Sequence, residues 1–288
     1  MSEKTYVIFT DSAADLPEAM MEHMGVECLP MNVFMKDNPA LACTLRGAEF
    51  YEALKGGQVA CTSAANLTVF RARFADVLRQ GKDILYLAFS SALSCMYQTA
   101  LIAAEELAAE FPDRKIAVVD TLCASMGEGL LVYHAAELRE RGMSLDELTA
   151  YAEENKQRFI HWFTVDDLLF LKRGGRVGAV SAYAGTLLGI KPVLHVSAEG
   201  KLIPKQKVRG RRKSILELAA HYGAECKERE ATVFISHANA PEDAELLKET
   251  LCREHGAKHV VIGDIGPVVG AHSGPGTVAL FYIGETRG

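Results

Sequence analysis

Short apolar runs alternate with segments of helical composition through the first 160 residues, and this alternation constrains the fold more than any other feature. Strands are predicted at Tyr6–Phe9, Val26–Met35, Ile84–Phe89 and Ile116–Val119. Parallel strands need long crossover connections, which are usually helices, so this pattern is typical of a mostly parallel, doubly wound sheet. We therefore expect an N-terminal α/β domain over residues 1–160.

The pattern changes beyond residue 160. Two apolar runs, Ile190–Val196 and Lys201–Val208, flank a short turn segment and predict an antiparallel hairpin. Further strands are predicted at Thr232–Ser236, Val260–Asp264 and Val278–Ile283. We expect a second α/β domain, with an antiparallel element, over residues 161–288.

The composition excludes several classes of protein. A net charge of −6 argues against a nucleic-acid binder that neutralises phosphates. The seven cysteines include no CxxC pair, which favours a reducing cytoplasm over a disulfide framework and gives no support to a metal site. The N-terminal run Tyr6–Phe9 is too short for a signal-peptide core, and no apolar stretch approaches the length of a membrane span. We therefore expect a soluble cytoplasmic protein without stable membrane insertion.

One strand runs directly into a serine-rich turn and then into a helix. The turn carries Ser90, Ser91 and Ser94, and a helix is predicted over Cys95–Glu110, with positions 97, 101, 104, 107, 108 and 111 facing the core. Backbone N–H groups at a helix start favour an anion. The turn has no lysine, glycine pair or acidic residue, so a small carboxylate fits better than a triphosphate.

Two other polar segments precede predicted helices. Asp11 follows the first strand, where open α/β sheets place ligands, but it is equally well explained as a turn or cap residue. Thr62 and Ser63 precede a helix predicted at Thr68–Arg79, and either is explained most simply as its N-cap.

Glycines dominate two further segments. The predicted loop Gly266–Gly276 carries His272 but neither a Walker A motif nor a dinucleotide fingerprint, so His272 is either a surface or a functional residue. In Gly174-Gly175-Arg176, the glycines could free the arginine to reach a carboxylate, or could simply end a helix beside a solvated arginine.

A basic run places six cations between Lys205 and Lys213, as either a solvated face or a docking surface for an acidic partner. Ser94 and His272 together suggest a phosphotransfer or hydrolytic enzyme, yet GxSxG is absent and no acid partner is identifiable. From the residues alone, the chain is an α/β protein with an anion site and an unnamed substrate.

Taken together, these segments resemble the DegV family of bacterial fatty acid-binding proteins. The motifs that carry the resemblance occur in the family's order along nearly the whole chain: Thr10–Leu16, Thr62–Ser63, Ser90–Ala100, Phe170–Arg176, Leu188–Pro192 and Gly270–Thr277.

The resemblance implies two α/β domains with a long-chain fatty acid buried between them. It also implies a non-catalytic carrier, without cofactor or metal, that presents the acid to a separate fatty acid kinase. By position, the residues implied at the carboxylate are Thr62, Ser94, Cys95 (through its N–H), Arg176 and His272, and those implied around them are Asp11, Ser12, Ser63 and Ser91.

One pair departs from the family pattern. Cys95-Met96 stands where the family usually has Gly-Thr. If the turn needs a positive φ at that place, Cys95 is strained; if it does not, the larger side chains narrow or reshape the head-group pocket.

Overall fold

The computed structural model describes residues 5–177 and 189–287. In the first half, the strands are β1 (Tyr6–Asp11), β2 (Val26–Leu29), β3 (Asn32–Met35), β4 (Asn38–Ala42), β5 (Ala60–Ser63), β6 (Asp83–Ala88) and β7 (Ile116–Asp120). The helices there are α1 (Glu18–Met24), α2 (Gly47–Lys55), α3 (Leu67–Arg79), α4 (Met96–Glu110), α5 (Met126–Glu140) and α6 (Leu145–Asn155).

In the second half, the strands are β8 (Phe159–Thr164), β9 (Ile190–Val196), β10 (Leu202–Arg209), β11 (Thr232–His237), β12 (His259–Asp264) and β13 (Val278–Ile283). The helices are α7 (Leu168–Gly174), α8 (Arg211–Glu225), α9 (Pro241–His255) and α10 (Pro267–Ser273). Leu188, the first residue of the Leu188–Pro192 motif, lies outside the described residues.

Three sheets organise these elements. A parallel sheet has the order β2-β1-β6-β7, and a larger sheet has the order β10-β9-β8-β13-β11-β12, antiparallel except between β11 and β12. A small antiparallel sheet, β4-β3-β5, lies beside them. The predicted mixed α/β fold and the β9–β10 hairpin are confirmed, and the domain boundary at residue 160 stays a prediction.

Helix α5 packs against strands of both large sheets. It contacts β6 of the parallel sheet and β8, β11 and β13 of the larger one. Three consecutive residues, Leu130, Leu131 and Val132, are fully buried, which means that the first half of the helix is covered on all sides. The largest core cluster is therefore shared by the two sheets. Within the described part of the chain, no helix is long and apolar enough to cross a membrane.

The predicted strand Val26–Met35 is wrong as a single element. It is divided at Pro30 into β2 of the parallel sheet and β3 of the small sheet. Proline has no N–H for a strand ladder, so the chain leaves one sheet there and enters another. The small sheet itself was not predicted, because β4 is exposed along its whole length and β5 has only four residues.

The N-cap assignment of Thr62 or Ser63 is also wrong. Both lie in β5, and Asn66 caps α3 by accepting a hydrogen bond from the N–H of Val69 at 3.0 Å. Asparagine is among the strongest N-cap residues, so its side chain, placed directly before the helix, takes this role. Thr62 is thereby left for another partner.

The buried face of α4 differs from the predicted one. The buried residues are Met96, Ala100, Ala103 and Leu107, whereas Leu101 and Ile102 are 41% and 50% exposed. The helix is rich in alanine, so apolar residues occur on several faces and the sequence pattern does not determine which face is buried. Met96 is fully buried in the apolar cluster that α3 and α4 form with the parallel sheet, and its position fixes which face of α4 is buried.

The glycine-rich segment is not a continuous loop. Residues Pro267–Ser273 form the helix α10, with Pro267 in its first turn, where its missing N–H costs nothing. The periodicity of Val268 with His272 and of Val269 with Ser273 is helical, and it indicates the element that the glycines conceal.

The serine turn packs against the turn of the β9–β10 hairpin. Ser90 is fully buried, and its Oγ donates to the carbonyl oxygen of Gly200 at 2.9 Å. Gly200 has φ +72°, and a Cβ there would lie 2.2 Å from Ser90 Oγ. The larger sheet therefore contacts the serine turn through a residue that must be glycine.

We predict that Gly200→Ala lowers the free energy of unfolding by about 3 kcal/mol, through left-handed backbone strain and overpacking together. Gly256→Ala is the matched control, because Gly256 has φ +73° and, apart from its own chain neighbours, no atom of the described residues lies within 4 Å of the added Cβ. It should lose only about 1–2 kcal/mol. Urea unfolding of both variants measures the difference, and equal losses would contradict close packing at Ser90.

Candidate functional site

A cavity of about 320 Å³ lies between the parallel sheet and the larger sheet. Its walls come from the segments that follow β6 and β7, from one face of β8, β9 and β13, and from α10. Most of the lining is apolar, including Phe89, Phe163, Val196 and Phe281. This volume and lining are those of a small-molecule site for an apolar ligand.

Polar side chains from distant parts of the sequence meet in this cavity. Thr62 of β5 and His272 of α10 are joined by a hydrogen bond of 2.7 Å between Oγ1 and Nε2. Both residues line the cavity, as do Ser63, Ser94, Cys95 and Arg176. The five residues predicted to contact a carboxylate therefore lie in one place, although their role in binding stays a prediction.

Gly174 fits directly against the His272 ring. A Cβ at Gly174 would lie 2.3 Å from His272 Nδ1, so no other residue fits there without moving the ring. Gly175 ends α7 in the left-handed conformation, with φ +68°. The glycine pair thus has two separate roles: one residue ends the helix, as one interpretation of the motif proposed, and the other admits the histidine.

Arg176 is oriented by backbone carbonyls rather than by solvent. Its Nη1 donates to the Gly174 carbonyl at 2.5 Å and its Nε donates to the Leu93 carbonyl at 3.2 Å. The second bond places the guanidinium beside the serine turn. Among the described residues that line the cavity, Arg176 carries the only permanent charge.

Cys95 does not need a positive φ. It is the N-cap of α4 with φ −89° and ψ 15°, and L residues adopt this conformation. Met96 is fully buried and its sulfur accepts a hydrogen bond from the N–H of Ala65 at 3.3 Å. Of this pair, only Cys95 lines the cavity, and its negative φ leaves no backbone strain.

The residues predicted to surround the carboxylate ligands separate into two groups. Ser63 lines the cavity, whereas Asp11, Ser12 and Ser91 do not. Asp11 accepts hydrogen bonds from Tyr86 Oη at 2.8 Å and from the N–H of Phe89 at 3.1 Å, and burial raises its pKa to about 6. These bonds give Asp11 a position-holding role at the end of β6.

His272 is held in its neutral form. Burial, with a smaller contribution from the Arg176 guanidinium, lowers the pKa of His272 to about 4. Nδ1 is buried and has no hydrogen-bond partner among the residues that the structure describes. At neutral pH the site therefore has one cation and a neutral imidazole.

The basic run lies at the edge of the larger sheet. Lys205, Lys207 and Arg209 alternate along β10 as exposed residues, and Arg212 and Lys213 are exposed at the start of α8. Arg211 instead pairs with Asp243 at 2.9 Å and with Asp166 at 3.5 Å. None of these residues lines the cavity.

Sequence reasoning missed the cavity lining on α10 beyond His272. Val268, Val269 and Ser273 all face the cavity. Their spacing around His272 would have indicated them once the segment was assigned as a helix rather than a loop.

Comparison with known proteins gives consistent matches along the chain. The family model described as "Uncharacterised protein, DegV family" matches residues 5–285. A DegV domain-containing protein of Clostridium perfringens is 43% identical over 290 residues, which cover 99% of each chain.

Two solved structures have the same fold. A DegV lipid-binding protein from Thermotoga maritima has a TM-score of 0.84 and 29% identity, covering 99% of this chain and 100% of that chain. A DegV family protein from Thermus thermophilus, described by its fatty acid binding, has a TM-score of 0.84 and 30% identity, covering 98% and 100%. The resemblance seen in the sequence is thereby confirmed, and the chain belongs to the DegV family.

Proposed function

We propose that this protein binds a long-chain fatty acid in the cavity and presents it to a separate fatty acid kinase that forms the acyl phosphate. The observation that carries the proposal is the cavity itself, which combines an apolar lining with a polar cluster containing one permanent positive charge. Related structures described as fatty acid-binding or lipid-binding support the same ligand class.

The two parts of such a ligand contribute differently. An acyl chain of about fifteen methylenes, at about 0.8 kcal/mol each, offers on the order of 12 kcal/mol before the costs of association. Each hydrogen bond to the carboxylate contributes only about 1.5–3 kcal/mol. The chain therefore sets affinity, and the polar cluster sets orientation and keeps the buried carboxylate ionised.

The tautomer of His272 determines what Thr62 can do. Arg176 donates to the carbonyl of Gly174, the residue that packs against His272 Nδ1, so positive charge on that side favours a lone pair at Nδ1. The proton then lies on Nε2 and is donated to Thr62 Oγ1. This leaves the Thr62 hydroxyl hydrogen for the carboxylate, together with donors from Ser94, the Cys95 N–H and Arg176.

The geometry favours a carrier over an enzyme that uses Ser94 and His272. The Nε2 atom of His272 pairs with Thr62, and no hydrogen bond joins Ser94 to His272 among the described residues. His272 Nδ1 likewise has no carboxylate partner there to orient the ring. A serine without a base is a poor nucleophile, so we assign the chemistry to the kinase.

Protein purified from a bacterial host should contain about one long-chain fatty acid per chain, because burial of the acyl chain makes dissociation slow. Native mass spectrometry followed by lipid extraction measures the ligand. A protein that contains no fatty acid and takes up no added palmitate would contradict the proposal, and turnover of acyl esters without a partner would favour the enzyme.

Ser94→Ala removes a donor to the carboxylate, and His272→Ala removes the partner that orients Thr62. Each should lower acyl-phosphate formation with a cognate kinase by roughly 10- to 100-fold, the equivalent of one or two lost hydrogen bonds to the carboxylate. Ser91→Ala is the matched control, since Ser91 belongs to the same turn but does not line the cavity. Its turnover should equal that of the wild type. If all three variants turn over normally, the predicted carboxylate contacts are wrong.

The His272 ring should remain neutral, protonated on Nε2, from about pH 8 down to about pH 5, because its pKa is lowered to about 4. The folded state then binds fewer protons than the unfolded state below about pH 6.5, so this residue should reduce stability as the pH falls towards 4. Histidine ¹⁵N NMR of the ligand-free protein measures both tautomer and titration. A midpoint near 6.5 would contradict the burial argument.

A further inference from the structure

Ser273 lines the cavity and carries a buried hydroxyl. It is the last residue of α10, lies one helical turn beyond Val269, and lines the cavity with it. The residue is only 6% exposed. Its Oγ has no hydrogen-bond partner anywhere in the described ranges 5–177 and 189–287.

Three other hydroxyls of the cavity are already paired within the protein. Thr62 bonds to His272, and Ser125 donates to Asp15 Oδ2 at 2.6 Å. Thr277 donates to the carbonyls of Ser273 and Gly274 at 3.0 and 2.9 Å. A buried hydroxyl without a partner is unfavourable, and a saturated hydrocarbon chain packed against Ser273 would leave it in that state.

The position of Ser273 along the cavity restricts which part of a ligand it can meet. It follows His272 directly, so it lies near the polar cluster. Three alternate residues of the last strand and the turn before it, Thr277, Ala279 and Phe281, line the cavity and lead away from Ser273 over about 13 Å. In the proposed binding mode, Ser273 therefore lies beside the first part of an acyl chain rather than its end.

The carboxylate itself does not require Ser273. In the proposed binding mode, its oxygens receive hydrogen bonds from Thr62, Ser94, the Cys95 N–H and Arg176. A carboxylate has about four acceptor positions, so these donors satisfy it. The remaining hydroxyl suits a different oxygen atom of the ligand.

We propose, building on the proposed fatty acid-binding function, that Ser273 recognises an oxygen on the acyl chain close to the carboxyl group. The ligand class is a long-chain fatty acid with a hydroxyl or keto group on one of its first carbons. Ser273 can donate to either group and can also accept from a hydroxyl. The residue thereby confers a preference for an oxygenated chain over the unsubstituted acid of equal length.

Competition between two ligands tests this directly. The full-length protein, freed of lipid, is incubated with equal concentrations of palmitate and 3-hydroxypalmitate, and then with palmitate and 2-hydroxypalmitate, and occupancy is counted by native mass spectrometry. The wild type should prefer at least one hydroxy acid, and Ser273→Ala should lower that preference by about two- to tenfold, as expected for one hydrogen bond. Ser273→Cys nearly keeps the side-chain volume but offers only a weak donor, so its preference for the hydroxy acid should be close to that of Ser273→Ala.

Val269→Ala is the matched control, because Val269 lines the cavity from the same helix but has no polar group. It should weaken the binding of both ligands equally and leave the ratio of their occupancies unchanged. A wild type without preference for either hydroxy acid would overturn the inference, as would a Ser273→Ala variant that loses palmitate and hydroxypalmitate equally, which would make Ser273 a carboxylate ligand. A wild type that binds none of these acids would instead overturn the proposed function.

Discussion

The hydrogen bond between Thr62 and His272 is the contact on which the polar end of the cavity depends. It joins β5 of the small sheet to α10, two elements separated by 210 positions along the chain. The bond forms only because Gly174 leaves room for the imidazole, with the position of its missing Cβ 2.3 Å from Nδ1. Because Gly174 has no side chain, the three segments that carry Thr62, Gly174 and His272 can converge on one site.

The serine turn is positioned from the other side. Ser90 donates to Gly200 of the hairpin, and the Leu93 carbonyl receives Arg176. Ser94 lies between these contacts and the start of α4. Its position is therefore fixed relative to the larger sheet as well as to the parallel sheet. The backbone supplies most of these partners, so the geometry of the turn depends little on the side chains of Cys95 and Met96.

The sequence predicted the alternation of strands and helices, the hairpin and most element bounds, because these depend on local apolar periodicity. It also brought together the five carboxylate candidates, through resemblance to a family rather than through spacing. It failed where tertiary packing decides: Pro30 divides a strand between two sheets, and α4 buries Met96 instead of Leu101. The role of Gly174 could not be predicted, since its reason is a histidine 98 positions away in sequence.

The electrostatics of the site suit a carboxylate better than the acyl phosphate that a kinase would form from it. With His272 neutral, Arg176 supplies one positive charge, which matches the single charge of a fatty acid. An acyl phosphate carries additional negative charge, and burying charge without a matching cation is unfavourable. In the proposed function, the cluster that orients the acid therefore leaves the phosphorylated head group less stabilised inside the cavity than the carboxylate.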